Sequence, residues 1–521
     1  MPTSLTLLDW SIVALYVAAV VGGGVVLSRG SNQSMRDYFL GGNQMSVWLV
    51  MISVIATNQS AATFLGGPDN GFRGDYSYVA STLGGVLAAL VATRFLLTRF
   101  YALKVTTVYE LLAIRYGDGA KRAAGAMYLI GRVFASGARV YIAATAVAMM
   151  LFFNIEPQSV ILAVGVITLC SLGLTLAGGI RSVIWSDFGQ FIVYFGAALI
   201  ALASIWSQLS LSPAEALAAL RETPDGTNKL VLFDFSLDFS KPFTVWAILT
   251  GVFLLNLGNF GLDQDTTQRL LTCRDAQSAG RAVIASSLVA IPIVFVFVTI
   301  GQLLHLLYER PELIADAGAG GLAPEFNGES ITVFMSYILT EMPTGVRGLA
   351  TAGIVAAAIS TMTSGLSAMS SVLISDFYRP WKEAQAPDAG GASPGHYVSA
   401  GRLGMLFFAL ALAAMAVLCF YWQRYTDMAL LEFALAVMSF SYAGLLGVFF
   451  TAVFTGRGSS ASVIAALAAG FIVILVQQSY IVDSLGLPAV MKSLAFPWQL
   501  LIGAGISIIV CMAGAGRTAR E

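Results

Sequence analysis

The stretch Gly348 to Tyr378 reads GLATAGIVAAAISTMTSGLSAMSSVLISDFY, and it holds no charge before Asp376. Its polar content is almost all hydroxyl. At 100° per residue, Ala357, Ser360, Thr361, Ser364 and Ser371 fall on one helix face, with Thr363 on the flank beside Ser360. Such a stripe can do two things inside a protein. It can let helices approach closely and hydrogen-bond across their contact. It can also supply neutral oxygens to a hard cation that has lost its water. On this stretch alone both readings stay open.

Two further stretches carry polar groups where an apolar segment is interrupted. One reads WLVMISVIATNQSAATFLGG, with Thr57-Asn58-Gln59-Ser60 at its middle. The other reads LLNLGNFGLDQDTTQRL, with Gly258, Gly261, Asp263 and Asp265. Irregular polar backbone at membrane depth is tolerated only where protein buries it or where it lines a cavity. Unwound carbonyls at Ala56 and Gln59 are thereby placed to face the hydroxyl stripe at Ala357 and Ser360. Arg132 and Arg139 are seven apart on a third apolar segment, so they share one face. An arginine inside a membrane is a functional-site candidate, and its fork of donors suits a carboxylate. Beside this stand plainer readings. Arg132 lies close to its helix start and snorkels toward the inner face, as does Arg94. Glu432 neutralises Arg139.

The elements that must position these residues are membrane helices. Of 521 residues 57% are apolar and only 11% charged, with a mean hydropathy of +0.79. Soluble domains carry about 25% charged residues. Apolar runs of about 20 residues recur throughout. The expected spans are 8–27, 45–66, 76–98, 123–151, 159–177, 183–208, 244–271, 281–308, 346–376, 400–422, 427–450, 460–479 and 496–514, thirteen in all. Lys and Arg favour one set of loops by about two to one, which places the N-terminus outside and the C-terminus in the cytoplasm. The first run lacks a basic lead and a small-residue cleavage site, and reads as a retained helix. Residues 209–243 form a polar outer loop. Residues 309–345 form another, with a short helix near Glu329–Leu339. The connector 379–399 is rich in Pro, Gly and Ala and reads as flexible.

A net charge of −1 and the lack of basic runs argue against a nucleic-acid partner. Cys170, Cys273, Cys419 and Cys511 show no metal-ligand spacing, and His305 and His396 are too far apart to form a cluster. No nucleotide-binding glycine loop is present. These points argue against an enzyme. With the first helix set aside as accessory, the interrupted spans open two five-helix halves, 45–208 and 244–450, followed by two peripheral helices at 460–514. That is the sequence sign of inverted repeats around a midplane site.

The chain resembles the sodium/solute symporter family, which includes bacterial sodium-coupled sugar, proline and sialic acid carriers. Three segments carry the resemblance. Leu176–Gln190, LAGGIRSVIWSDFGQ, is similar to the family's GG-x-x-x-V-x-W-[ST]-D-x-x-Q. Ala357, Ser360, Thr361 and Asp376–Tyr378 match its A-x-x-S-[ST] helix ending in D-x-Y. Asp263-Gln264 with Gln268-Arg269 matches D-Q-x-x-x-Q-R. The resemblance implies an all-α membrane fold of the leucine-transporter type and a sodium-driven symporter working by alternating access in the cell membrane, functional as a monomer. It implies a common sodium site from the backbone oxygens of Ala56, Gln59 and Ala357 and the hydroxyls of Ser360 and Thr361. A second sodium site, present in some members, maps to Asp187, Ser360, Thr363 and Ser364. The plainer reading of Asp187 is a partner for Arg181.

By position, a small-molecule solute is lined by Asn58, Ser60, Ala61, Thr63, Thr82, Asn256, Asn259 and Phe260, with Arg139 as anchor for an acid group. The sugar-binding set of the galactose carriers is not reproduced, since its places look like Thr82, Thr63 and Leu288 here. The aspartate of the proline carriers is replaced by Asn58. The expected solute is a small polar organic molecule, with a carboxylate among the candidates; sugar or amino-acid symport stays beside it. A transporter-fold membrane sensor is the reading from another class, disfavoured by the short tail GAGRTARE. Proton coupling has Asp187 as its only titratable candidate.

Overall fold

The computed structural model describes residues 5–27, 35–310, 325–326, 329–330, 332–385, 393–423 and 430–514. Apart from a two-residue β-pair, Glu325–Phe326 against Glu329–Ser330, and an isolated bridge, its regular elements are helices. Among the described residues nine are long and apolar enough to cross a membrane, or up to eleven when two sharply bent pairs, Met35–Asn43 with Val47–Asn58 and Val245–Gly261 with Gln264–Leu270, are each taken as one span. Two shorter apolar helices, Leu7–Val20 and Ser460–Val476, add to these.

The elements used below are α1 (Leu7–Leu27), α2 (Val47–Asn58), α3 (Ala61–Arg73), α4 (Ser77–Leu103), α5 (Asp118–Phe152) and α6 (Pro157–Gln208). They continue with α7 (Val245–Gly261), α8 (Gln264–Leu270), α9 (Ala276–Glu309) and α10 (Val346–Gln385). The last four are α11 (Pro394–Gln423), α12 (Leu430–Phe454), α13 (Ser460–Val476) and α14 (Phe496–Ala513).

Both interrupted spans break where the sequence places polar groups. Between α2 and α3, Gln59 (φ −83°, ψ 121°) and Ser60 (φ −128°, ψ 176°) are extended. Between α7 and α8 the axis bends by 56° at Leu262–Asp263. There the Asp263 carboxylate caps the new helix, accepting from the Asp265 amide at 2.9 Å. A helix start leaves amides without intrahelical acceptors, and a side-chain oxygen satisfies one of them. The spans expected at 159–177 and 183–208 are present as two helices within α6, Pro157–Leu176 and Gly179–Gln208, separated where the backbone turns at Gly179 (φ 62°, ψ −166°). A Cβ at Gly179 would stand 2.6 Å from the Tyr38 carbonyl oxygen, so glycine is required there by space as well as by conformation.

Long apolar helices in a bilayer gain little from burying apolar surface against each other, so close backbone approach must hold them together. At the crossing of α3 and α9, a Cβ on Gly71 would lie 2.3 Å from the Val298 carbonyl oxygen, and one on Gly301 2.0 Å from that of Pro68. The first helix is tied down by charge instead. Asp9 accepts from Arg347 Nη2 at 3.1 Å and from the amides of Gly345 and Gly348 at 2.8 and 2.9 Å.

Two expectations need correction. The connector 379–399 begins and ends as helix, in Arg379–Gln385 and from Pro394 onward, while 386–392 lie outside the described residues. The short helix expected near Glu329–Leu339 starts later, at Val333, because Thr332 caps it by accepting from the Met335 amide. The Gly/Ala run Ala315 to Ala323 lies outside the described residues.

Candidate ion and substrate sites

The break in α2–α3 and the end of α7 meet α4, α5, α9 and α12 around a cavity. Eight of the nine solute positions expected from sequence line it: Asn58, Ser60, Thr63, Thr82, Arg139, Asn256, Asn259 and Phe260. Ala61 does not. It is fully buried, and its neighbour Ala62 takes the place on the wall. Leu288 is half exposed on the outside of α9, so the wall there is Ser286 and Ser287. Tyr78 and Ser81 also line the cavity. Their spacing from Thr82 and Gly85, one helical turn apart along α4, is the signal that marks them.

The wall mixes apolar side chains with amides and hydroxyls and is nearly uncharged. Asn259 Nδ2 donates to Asn58 Oδ1 at 2.7 Å, which bridges the two broken spans. Arg139 is the one charged side chain among the described residues lining the cavity. Its Nη2 sits 3.1 Å from Met438 Sδ, a weak acceptor. Glu432, expected to neutralise it, forms no ion pair with it among the described residues. A buried guanidinium in a wall without a carboxylate is complementary to an anion.

Arg132 does not snorkel. It is buried, and its Nη1 pairs with Asp263 Oδ2 at 2.9 Å while Nη2 donates to Asp265. Tyr442 Oη donates to the same Asp263 oxygen at 2.5 Å. The carboxylates of the α7–α8 break thus hold α5 and α12 against it. A lone arginine or aspartate here would be prohibitively desolvated, and the break supplies both partners in one place.

A second, smaller cleft is lined by Ala56, Gln59, Gln190, Phe191, Tyr194, Ala356, Ala357 and Ser360. The last carbonyls of a helix have no intrahelical donor. Among those of α2, Ala56 O faces α10, with Ser360 Oγ 3.4 Å away. Thr361 is one residue further along α10, and its buried Oγ1 has no hydrogen-bond partner. The same holds for Gln59 Oε1 and Tyr194 Oη. Buried polar atoms are ordinarily paired, and unpaired oxygens at this cleft (Gln59, Tyr194) and beside it on α10 (Thr361) fit a dehydrated monovalent cation.

Asp187 is fully buried on α6. Its Oδ1 accepts from Ser360 Oγ at 2.9 Å and its Oδ2 from Ser53 Oγ at 2.5 Å. Its ionic partner is Arg269 on α8, with Nη2 at 3.1 Å. Arg181, the partner considered from sequence, is exposed. Ser364 Oγ accepts from Arg269 Nη2, and Thr363 Oγ1 donates to the Ser360 carbonyl at 3.1 Å. The structure therefore brings Asp187, Ser360 and Ser364 together with a guanidinium among them, while Thr363 turns to its own helix.

A family model described as the sodium:solute symporter family matches residues 38–470. This chain belongs to that family. Membership makes it a sodium-driven solute transporter of the membrane, not an enzyme. A sodium/sialic acid symporter of Proteus mirabilis is 27% identical over 395 residues, covering 73% of each chain. The human sodium-coupled monocarboxylate transporter 2 is 25% identical over 366 residues, 70% of this chain and 56% of that one. A sodium/glucose cotransporter of Vibrio parahaemolyticus is 23% identical, covering 74% and 71%. Among solved structures, a sodium-coupled sialic acid symporter in a substrate-bound outward-open state superposes with a TM-score of 0.78 at 22% identity, covering 98% of this chain and 97% of that one. That likeness shows the fold.

Proposed function

We propose that this symporter carries a small organic anion together with two sodium ions into the cell. The observation that supports the anion is Arg139, buried in the cavity wall with no carboxylate within ion-pair distance among the described residues. Similar proteins named for sialic acid and monocarboxylates point the same way, and one named for glucose keeps sugar as the alternative. A thermal-shift screen of organic acids, sugars and amino acids, in sodium against potassium, tests it. Stabilisation by acids only in sodium is expected. Stabilisation by sugars or amino acids without any by acids would overturn the anion reading.

The architecture that goes with this reading is thirteen spans, with α6 counted as two, the N-terminus outside, and inverted repeats at 45–208 and 244–450. The repeats rock about the cavity, so that their two breaks present it to each side in turn. Each sodium charge moving down the membrane potential adds ~2.3 kcal/mol per 100 mV.

The first sodium is held by Ala56, Gln59, Ala357, Ser360 and Thr361. Support comes from the unpartnered Thr361 Oγ1 and from the Ala56 carbonyl facing Ser360. Thr361→Ala removes one oxygen of five. A hydrogen bond to a charged group, taken as its equivalent, is worth roughly 1.5–3 kcal/mol, so half-saturation for sodium should rise about ten- to a hundredfold. An unchanged sodium half-saturation in Thr361→Ala proteoliposomes would remove this site.

The second sodium is held by Asp187, Ser360, Thr363 and Ser364. Sharing Ser360 couples the ions, and the Asp187 carboxylate offsets a repulsion of about 4 kcal/mol at ~4 Å and an effective dielectric of ~20. Reversal potentials should report two ions per solute in the wild type and one in Asp187→Asn. A wild-type ratio of one would leave Asp187 as a structural partner of Arg269.

A further inference from the structure

The segment Asp263-Gln264 with Gln268-Arg269 contributes no residue to the two ion sites described above. Its arginine nevertheless sits in one of them. Arg269 is fully buried, with its guanidinium between two carboxylates. On one side Nη1 donates to Asp265 Oδ1 and to the Asp265 carbonyl, each at 2.9 Å. On the other, Nη2 donates to Asp187 Oδ2 at 3.1 Å and to Ser364 Oγ, and Nε donates to Ser53 Oγ at 2.9 Å. Asp187 and Ser364 are two of the four side chains read above as holding the second sodium. A guanidinium and a sodium ion carry the same charge, and here they need the same oxygens.

We infer that Arg269 is a tethered cation occupying the second sodium position at Asp187 and Ser364, and that the ion binds there only after the guanidinium withdraws onto Asp265. The inference rests on the reading of Asp187, Ser360, Thr363 and Ser364 as an ion site. Withdrawal leaves no bare charge. Asp265 lies one turn before Arg269 on α8 and already holds Nη1, so the guanidinium keeps a carboxylate when it gives up the other. Asp187, in turn, passes from one cation to another. A buried carboxylate can change partners in this way without ever bearing the cost of standing alone.

The exchange is tied to a moving part. Arg269 stands on α8, past the bend at Leu262–Asp263, whereas Asp187 and Ser364 stand on α6 and α10. While the guanidinium holds Asp187, α8 is fastened to both of those helices. Sodium taking its place unfastens α8. Binding of the second ion and rotation of the lower half of the broken span are then one event, which is what coupling an ion to alternating access requires.

A purely structural ion pair and a tethered competitor predict opposite results. Equilibrium binding of radioactive sodium to the purified full-length protein is measured as two components. One weakens about ten- to a hundredfold in Thr361→Ala, and the other is lost in Asp187→Asn. In Arg269→Gln the Asp187-dependent component should tighten tenfold or more, and added guanidinium chloride should compete for it while sparing the Thr361-dependent one. In Asp265→Asn the guanidinium loses its place of withdrawal, so the Asp187-dependent component should weaken tenfold or more. An Asp187-dependent affinity that is unchanged or weaker in Arg269→Gln, with the Thr361-dependent component intact as evidence of folding, overturns the inference and leaves the ion site standing. Should Arg269→Gln not fold, an unchanged affinity in Asp265→Asn overturns it equally. A second ion that appears only in Arg269→Gln would confirm Arg269 as the occupant and refute two ions per cycle. Absence of Asp187-dependent sodium in every variant would refute both.

Discussion

Arg139→Ala is expected to raise the half-saturation concentration of an organic-acid solute about thirtyfold or more, and Arg139→Lys to restore little of it. The magnitude follows from removing one partner of a buried charge pair, which costs ~2–5 kcal/mol. The lysine variant separates geometry from charge. It keeps the positive charge, but a compact ammonium offers no planar fork to two carboxylate oxygens. Met438 Sδ, at 3.1 Å from Nη2, is a poor acceptor and does not compete with an incoming anion. Counterflow uptake into proteoliposomes checks the expectation. Uptake of the solute at the normal rate by Arg139→Ala would remove the carboxylate reading while leaving sodium symport in place.

The parts of the site written in local spacing were legible in the sequence. Thr57-Asn58-Gln59-Ser60 inside an apolar run has no reason to exist at membrane depth except as a break, and both residues at its end are extended. The hydroxyl face of α10 follows from helical period alone, and Ser360 does reach both Ala56 O and Asp187. Contacts between distant helices were not legible. Arg132 looked like a residue snorkelling from a helix end, because its partners lie 131 and 133 positions away on an element whose direction the sequence does not give. Asp187 drew attention to Arg181 through proximity in sequence. Six residues at 100° per step place the two on different faces of α6, and that argument was available without coordinates. The pairing of Asp265 with Arg269, four residues apart on one helix, was equally available. Ala61 fails as a wall residue because α3 begins there, and the helical period turns its methyl into the packed side while Ala62 and Thr63 face the cavity.

Arg132→Met is expected to destabilise the folded protein by ~3–5 kcal/mol, the usual result of breaking a buried pair from one side. Two carboxylates depend on this arginine. Asp265 retains Arg269 as a partner, but Asp263 is left with the Tyr442 hydroxyl and the Asp265 amide. The stress therefore concentrates on Asp263, at the bend between α7 and α8. Restoring charge balance there should restore much of the stability, since replacing both members of a buried pair is far less costly than removing one. The double variant Arg132→Met with Asp263→Asn should accordingly unfold later on heating than Arg132→Met alone, although it carries one more substitution. That non-additivity is the signature of residues in direct contact. Heating the detergent-solubilised variants and measuring the monodisperse fraction by size-exclusion chromatography reads it out. If the double variant is less stable than Arg132→Met by as much as Asp263→Asn is less stable than the wild type, the pair does not act as a unit. The bend would then owe its position to the Asp263 cap and the glycines Gly258 and Gly261, rather than to the arginine that reaches it from α5.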